Sequence, residues 1–167
     1  MNFRFVTSAL LAGLLATPVV QAQNESFSAT LLGDNEVPPI NTAGTASFQM
    51  DASTSTISFK ISFSGLSSSL TLAHLHFAPT KVAGGVMIFL CGGGGQPACP
   101  AVTSGTITGT ITAANVTGPT AQGIAAGDLT SALEAVGEGN AYANMHTTNF
   151  PGGEIRGQVV HARRSRN

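Results

Sequence analysis

The chain has 167 residues, of which only 9% are charged, and its formal net charge at pH 7 is −1. This weak, slightly acidic charge argues against a nucleic-acid-binding domain, which needs a basic stripe on its folded surface. The sequence shows no strong internal repeat and no domain linker, so its length corresponds to one folded domain with a core.

Residues 1–22 have the pattern of a secretory signal peptide. Arg4 supplies a positive charge, residues 6–15 are mostly apolar, and residues 20–22 offer small side chains for cleavage before Gln23. The apolar run is short for a membrane span. We therefore expect an exported protein, secreted or periplasmic, without a membrane span.

The folded domain is expected over residues 23–161, followed by a basic, solvated tail over residues 162–167. Without Arg4 the seven basic residues become six, against eight acidic residues. Three of those six lie in the tail, so the expected domain is mildly acidic.

Alternation of apolar and polar residues predicts the first strands. Residues 26–31 alternate, and so do residues 46–50 and 57–63, which form a hairpin around a turn at 51–54. Two adjacent prolines at 38–39 exclude a central strand there.

The next strands are less regular. In residues 70–77, Leu70 and Leu72 share a register with His74 and His76, so either both faces are covered or a bulge changes the register. Residues 85–90 form a continuous apolar run that is typical of a buried strand, and residues 106–112 alternate again.

Residues 128–136 are the one convincing helix, with Asp128 as N-cap and Gly137 as C-cap. The segment after it forms a hairpin: an alternating strand at 141–147, turn residues at 149–153, and a second strand from 154 to 160.

The predicted fold is therefore all-β: a single-domain antiparallel sandwich or barrel with one short helix. Seven apolar residues are expected to be buried between two sheets. They are Phe48, Ile57, Phe59, Ile61, Phe63, Ile88 and Leu90.

Cys91 and Cys99 are the only cysteines, and they flank a glycine-rich loop. In an oxidising compartment this pair predicts a disulfide that closes the loop. A metal site is the alternative, but two cysteines without an intervening histidine make a weak one.

Five motifs occur in an order that resembles the CHRD domain, a module named after chordin and found in exported bacterial proteins. They are Asp-Asn-Glu-Val-Pro-Pro at 34–39, Gly-Thr-Ala at 44–46, Ala-His-Leu-His at 73–76, Asn-Ala-Tyr-Ala-Asn-Met-His-Thr at 140–147 and Pro-Gly-Gly-Glu-Ile-Arg-Gly at 151–157. The resemblance covers about residues 26–160 and implies an extracytoplasmic β-rich domain of undefined biochemical role. It does not extend to the growth-factor antagonism of chordin, whose tandem domains and cysteine-rich modules are not seen in this sequence.

The motifs carry residues capable of metal binding. His74 and His76 project from one face of a strand, and His146 supplies a third imidazole if the two histidine strands are neighbours. Three histidines suit copper or zinc with an open coordination position. By analogy with the His-x-His strands of copper–zinc superoxide dismutases, such a site is compatible with redox activity.

The alternative is a structural network. It would comprise the polar motif residues Asn35, Glu36, Tyr142, Asn144, Glu154 and Arg156. In this interpretation Glu154 and Arg156 form an ion pair, and Tyr142 or Asn144 bonds to the backbone.

The favoured hypothesis is a non-enzymatic binding or structural module for an unknown protein or surface partner, without a firm cofactor. Glycosidase chemistry by Glu36 and Glu154 would require the two carboxylates to face each other across a cleft.

Overall fold

The computed structural model describes residues 24–162. The predicted signal peptide, most of the predicted basic tail and the cleavage site lie outside these residues. The strands are β1 (Glu25–Leu32), β2 (Thr45–Ala52), β3 (Ile57–Ser64), β4 (Leu70–Phe77), β5 (Gly85–Cys91), β6 (Gly105–Ile111), β7 (Ala141–Thr147), β8 (Ile155–Gln158) and β9 (Val160–His161), and the α-helix is α1 (Leu129–Gly137). Short 3₁₀ helices occur at Gly33–Asn35, Ala113–Asn115 and Thr120–Gln122.

The strands form one antiparallel sheet with the order β5-β4-β7-β8-β1-β2-β3-β6, and β9 pairs with β1. The sheet curves into a nearly closed barrel. This confirms the all-β antiparallel prediction and its barrel alternative. All seven expected core residues are buried, but inside one curved sheet rather than between two.

The hairpin of β2 and β3 pairs along its full length, from Thr45 with Ser64 to Ala52 with Ile57. Its inward residues are buried and its outward residues are mostly exposed, as the alternating sequence predicts. No helix within residues 24–162 is long and apolar enough to cross a membrane.

Helix α1 begins as predicted, because the Asp128 side chain accepts hydrogen bonds from the backbone N–H and the hydroxyl of Ser131, at 3.0 and 2.7 Å. The predicted C-cap is displaced. Gly137 is the last helical residue, and Gly139 is the glycine that adopts the left-handed conformation, with φ of 75°.

Strand β4 changes register against β7 between Leu70 and Leu72. Thr71 is therefore an extra residue, which places Leu70 in the core while Leu72 follows the register of the histidines. The two expectations for this strand are both met. The bulge occurs at Thr71, and residues 73–76 are buried on both faces of the sheet.

Cys91 and Cys99 form the predicted disulfide, with their Cα atoms 5.0 Å apart. The glycines that it encloses lie over Phe89. A Cβ atom on Gly93 or Gly94 would come within 2.6 or 2.8 Å of the Phe89 ring, so only glycine allows this close approach.

Candidate metal centre

The candidate site lies on the outer face of the sheet, where β4, β7 and β8 are neighbours. In β4 the inward residues Ala73 and Leu75 belong to the core, and the histidines alternate with them. Pairing of β4 with β7 places His74 beside Asn144 and His76 beside Tyr142. The expectation that the two histidine strands are adjacent is confirmed.

Three histidines converge at this position. One nitrogen from each of His74, His76 and His146 lies within 4.8 Å of the others. Nδ1 of His74 is 3.1 Å from Nε2 of His146. Two nitrogens bound at about 2.0–2.1 Å to one tetrahedral ion are separated by roughly 3.3 Å, so this pair already has a suitable spacing.

Main-chain carbonyl groups orient two of the rings. Nδ1 of His76 lies 3.0 Å from the Gly84 carbonyl oxygen, and Nδ1 of His146 lies 2.9 Å from that of Pro151. A carbonyl oxygen only accepts, so each Nδ1 carries the proton and each Nε2 carries a lone pair. This is the outer-shell arrangement that histidine ligands of metals adopt in proteins.

The rings are buried and short of hydrogen bonds. His74, His76 and His146 are 5%, 9% and 7% exposed. Nε2 of His74 and Nε2 of His76 are the buried side-chain polar atoms without a hydrogen-bond partner among the described residues. Such an unpaired group costs about 1–3 kcal/mol, so a ligand for either atom would remove one such penalty.

The electrostatic environment keeps the imidazoles neutral. Burial, followed by the charges of His146 and His76, lowers the pKa of His74 to about 3. Burial also lowers the pKa of His76 to about 4 and lowers that of His146. Neutral imidazole is the form that binds metal, so the site needs no deprotonation near pH 7.

A stack of side chains supports His76 from the side. The Tyr142 ring lies parallel to the His76 ring, with centroids 4.7 Å apart, and the Arg156 guanidinium lies 3.4 Å from the Tyr142 centroid on a cation–π contact. The Tyr142 hydroxyl accepts the Gly84 N–H at 3.2 Å. Gly84 thereby binds both Tyr142 and His76 through its backbone.

The loop of residues 78–84 covers this stack. Arg156 donates from Nη2 to the carbonyl oxygens of Val82 and Pro79, at 2.6 and 3.4 Å, and Gln158 donates to that of Ala78 at 3.0 Å. The expected ion pair of Arg156 with Glu154 is wrong, because the strand directs the guanidinium to this loop instead.

Glu154 forms a separate network at the end of β7. Its oxygens accept hydrogen bonds from the hydroxyls of Thr42, Ser67 and Thr147 and from the Ser67 N–H, at 2.6–2.8 Å. Burial raises the pKa of Glu154, but these hydrogen bonds outweigh it, and the net pKa is lowered. Glu154 is fully buried with both oxygens occupied, which does not fit a catalytic carboxylate facing an open cleft.

Glu36 approaches the site from the loop after β1. It accepts a hydrogen bond from Nδ2 of Asn144, which also donates to the Ile155 carbonyl oxygen at 3.2 Å. Burial raises the pKa of Glu36 to about 7, against the lowering influence of the Arg156 charge and the Asn144 hydrogen bond. Asn35 lies next to it and borders a small cavity with Arg156.

Sequence reasoning missed the groups that enclose the histidines. Phe89 packs edge-on against His74, with ring centroids 4.5 Å apart, and forms an apolar wall. Gly84 and Pro151 contribute only backbone carbonyls. The apolar run at 85–90 predicted a strand but not which residue faces outward, and no side-chain pattern marks a carbonyl acceptor.

Comparison with known proteins identifies the family but not a close relative. Residues 27–159 match the CHRD domain, a range that contains all three histidines. No curated protein and no solved structure matches the chain. Because the match spans most of the 167 residues, the chain belongs to the CHRD domain family.

Proposed function

We propose that this CHRD domain binds one copper or zinc ion through His74, His76 and His146. The observation that carries the proposal is the convergence of three buried imidazoles, with one nitrogen from each lying within 4.8 Å of the others. A metal ion held by Nδ1 of His74 and by Nε2 of His76 and His146 would also satisfy Nε2 of His76, which is buried without a hydrogen-bond partner among the described residues.

The chemistry of the donor set narrows the choice of ion. Neutral imidazole suits zinc and copper, whereas magnesium and calcium prefer oxygen ligands. The Nε2 atoms of His76 and His146 face away from the carbonyl-bound sides of their rings, and His74 completes the set with a ring nitrogen. Three histidines leave a further coordination position for water or another ligand.

A purely structural role for the histidines accounts for their unpaired nitrogen atoms less well than metal binding does. When His74 carries its proton on Nδ1, it donates to Nε2 of His146, and that pair is satisfied. Nε2 of His74 and of His76 then remain buried without partners. A structural network that leaves two of its members unsatisfied is less stable than an apolar packing of the same surface.

We also propose that the domain acts outside the cytoplasm. The Cys91–Cys99 disulfide is typical of oxidising compartments, and the signal-peptide pattern of residues 1–22 supports export. The proposed role is thus an exported metal-binding module.

The test is the metal content of the full chain, expressed without a polyhistidine tag and compared with two variants. His76→Ala removes a proposed ligand, and His161→Ala removes the one described histidine outside the site, which is exposed on β9. We expect one equivalent of copper or zinc in the wild type and in His161→Ala. In His76→Ala the affinity should fall more than about 100-fold, beyond the loss caused by removing an outer-shell partner.

Circular dichroism of the three proteins provides the folding control. If folded His76→Ala retains its metal, or if both variants lose it equally, the three-histidine site is wrong.

A further inference from the structure

A small cavity beside the metal centre has the character of an anion site. It has a volume of about 100 Å³ and is bordered by Asn35, Thr80, Lys81, Arg156 and Gln158. Two of these five residues are cationic and none is acidic. We propose that this cavity binds a small free oxyanion, of the size of phosphate or acetate.

Arg156 is the main observation behind this proposal. The residue is only 3% exposed, and its hydrogen bonds to described residues go from Nη2 to main-chain carbonyls, none to a carboxylate. The nearby Glu36 carboxyl group interacts electrostatically with Arg156, but its hydrogen bond comes from Asn144. Burying a cation whose hydrogen bonds reach no carboxylate is costly. Nε and Nη1 retain N–H donors, and the planar guanidinium matches oxyanions through paired hydrogen bonds.

Lys81 supplies an independent observation. Its φ of 64° is the one positive φ of a non-glycine residue within residues 24–162. Lysine is unfavourable in this left-handed conformation, and such strain is concentrated at functional positions. The Lys81 ammonium donates to the Asp34 carbonyl oxygen at 2.9 Å, which fixes its position and leaves two of its three donors free for a ligand.

The size of the cavity limits the ligand. One water occupies about 30 Å³ of liquid, so about 100 Å³ accommodates an anion of a few heavy atoms and excludes a nucleotide. Gln158 already donates to the carbonyl oxygens of Ala78 and Gly139, so its amide serves as a wall rather than a donor. Arg156 and Lys81 therefore supply the charge that recognises the ligand, beside the polar side chains of Asn35 and Thr80.

The experiment is calorimetric titration of the metal-free full chain with phosphate, with acetate and with chloride in separate runs. Metal-free protein keeps the outcome independent of the proposed metal site. We expect saturable binding of an oxyanion, and weaker binding of chloride, which cannot use the paired donors of arginine.

Lys81→Asn is the decisive variant, because asparagine tolerates the left-handed conformation and the fold should persist. It should weaken oxyanion binding about 10-fold or more, the equivalent of one charge-assisted hydrogen bond. Lys60→Asn, on the exposed face of β3, removes the same charge elsewhere and should leave binding unchanged.

Arg156→Gln should abolish binding if it folds, and Lys81→Asn decides the question if it does not. Absence of saturable oxyanion binding, chloride binding as tight as that of the oxyanions, unchanged affinity in Lys81→Asn, or an equal loss in Lys60→Asn would each overturn the proposal.

Discussion

Strands β3 and β7 belong to the same sheet, yet their outer faces have opposite environments. In β3, the inward Phe59 and Ile61 are buried while the outward Ser58 and Lys60 are exposed. In β7, all seven residues are buried, including the outward Tyr142, Asn144 and His146. An outer face that faces water needs only polar side chains, whereas a covered one needs a partner for each polar group.

The coverage of β7 comes from three loops, two of which are distant from it in sequence. The loop after β4 binds Arg156 and His76, the loop after β1 brings Glu36 to Asn144, and the turn after β7 supplies the Pro151 carbonyl to His146. Only the imidazole Nε2 atoms of His74 and His76 lack partners among the buried side-chain groups described. At this exception within an otherwise satisfied polar face we propose the metal ion.

Phe59→Ala should give the largest loss of stability, because it opens a cavity in the core beneath β3. The outer face of β3 is exposed, so packing of its inner face is what holds this strand in place. Phe59 is 5% exposed, and its ring fills the space above Gly109 on β6. We expect a loss of about 3–5 kcal/mol in the free energy of unfolding, measured by urea denaturation.

Ser58→Ala, on the exposed face of the same strand, is the matched control and should change stability by less than about 0.5 kcal/mol. Equal effects of the two variants would contradict the inward and outward assignment of β3.

Glu154→Gln and Lys60→Gln compare a covered charged residue with an exposed one. Glu154 accepts four hydrogen bonds and is fully buried, so neutralising it should cost about 1.5–3 kcal/mol. Lys60→Gln should stay within about 0.5 kcal/mol of the wild type in the same urea titration. A cost for Glu154→Gln no larger than that for Lys60→Gln would mean that the network is not a stabilising element.

The sequence predicts β3 well because a half-exposed strand needs only the period of two in its hydrophobicity. Phe59, Ile61 and Phe63 alternate with polar residues, and the structure buries them accordingly. Strand β7 has the same alternation between Ala143 or Met145 and its polar residues. Its sequence indicates the two faces but not the burial of the outer one, because that depends on tertiary contacts.

The histidine cluster could be predicted in part. His74 and His76 share a face by spacing, and the idea that His146 joins them required only that β4 and β7 be neighbours, which they are. The contacts of Arg156 could not be predicted. Its position on the same face of the predicted strand as Glu154 suggested an ion pair, whereas its carbonyl acceptors lie more than 70 residues away.

Glu36→Gln should give the smallest effect, confined to pH, and it tests whether the covered face holds a protonated carboxyl group. The folded-state pKa of Glu36 is about 7, raised by burial above the ordinary 4.5. Between these values the folded chain keeps a proton that the unfolded chain releases, so the stability contributed by Glu36 is complete below about pH 4.5 and is lost as the pH rises through 7.

The glutamine side chain of this variant does not titrate, and it can still accept the Asn144 hydrogen bond. The variant and the wild type should therefore have similar stability at pH 5, and the variant should be more stable at pH 8 by about 1–2 kcal/mol. The shift from 4.5 to about 7 sets an upper limit of about 3.4 kcal/mol, at about 1.36 kcal/mol per pKa unit. Part of this is already lost at pH 5, and solvent screening of the carboxyl group reduces the rest. The buried histidines have lowered pKa values and act in the opposite sense, but they are common to both proteins and cancel in the difference.

Urea titrations of metal-free protein at the two pH values measure this difference. The prediction is contradicted if the difference in free energy of unfolding between the variant and the wild type is the same at pH 5 and pH 8. Glu36 would then be ionised at both pH values, and the covered face would hold a charged carboxylate.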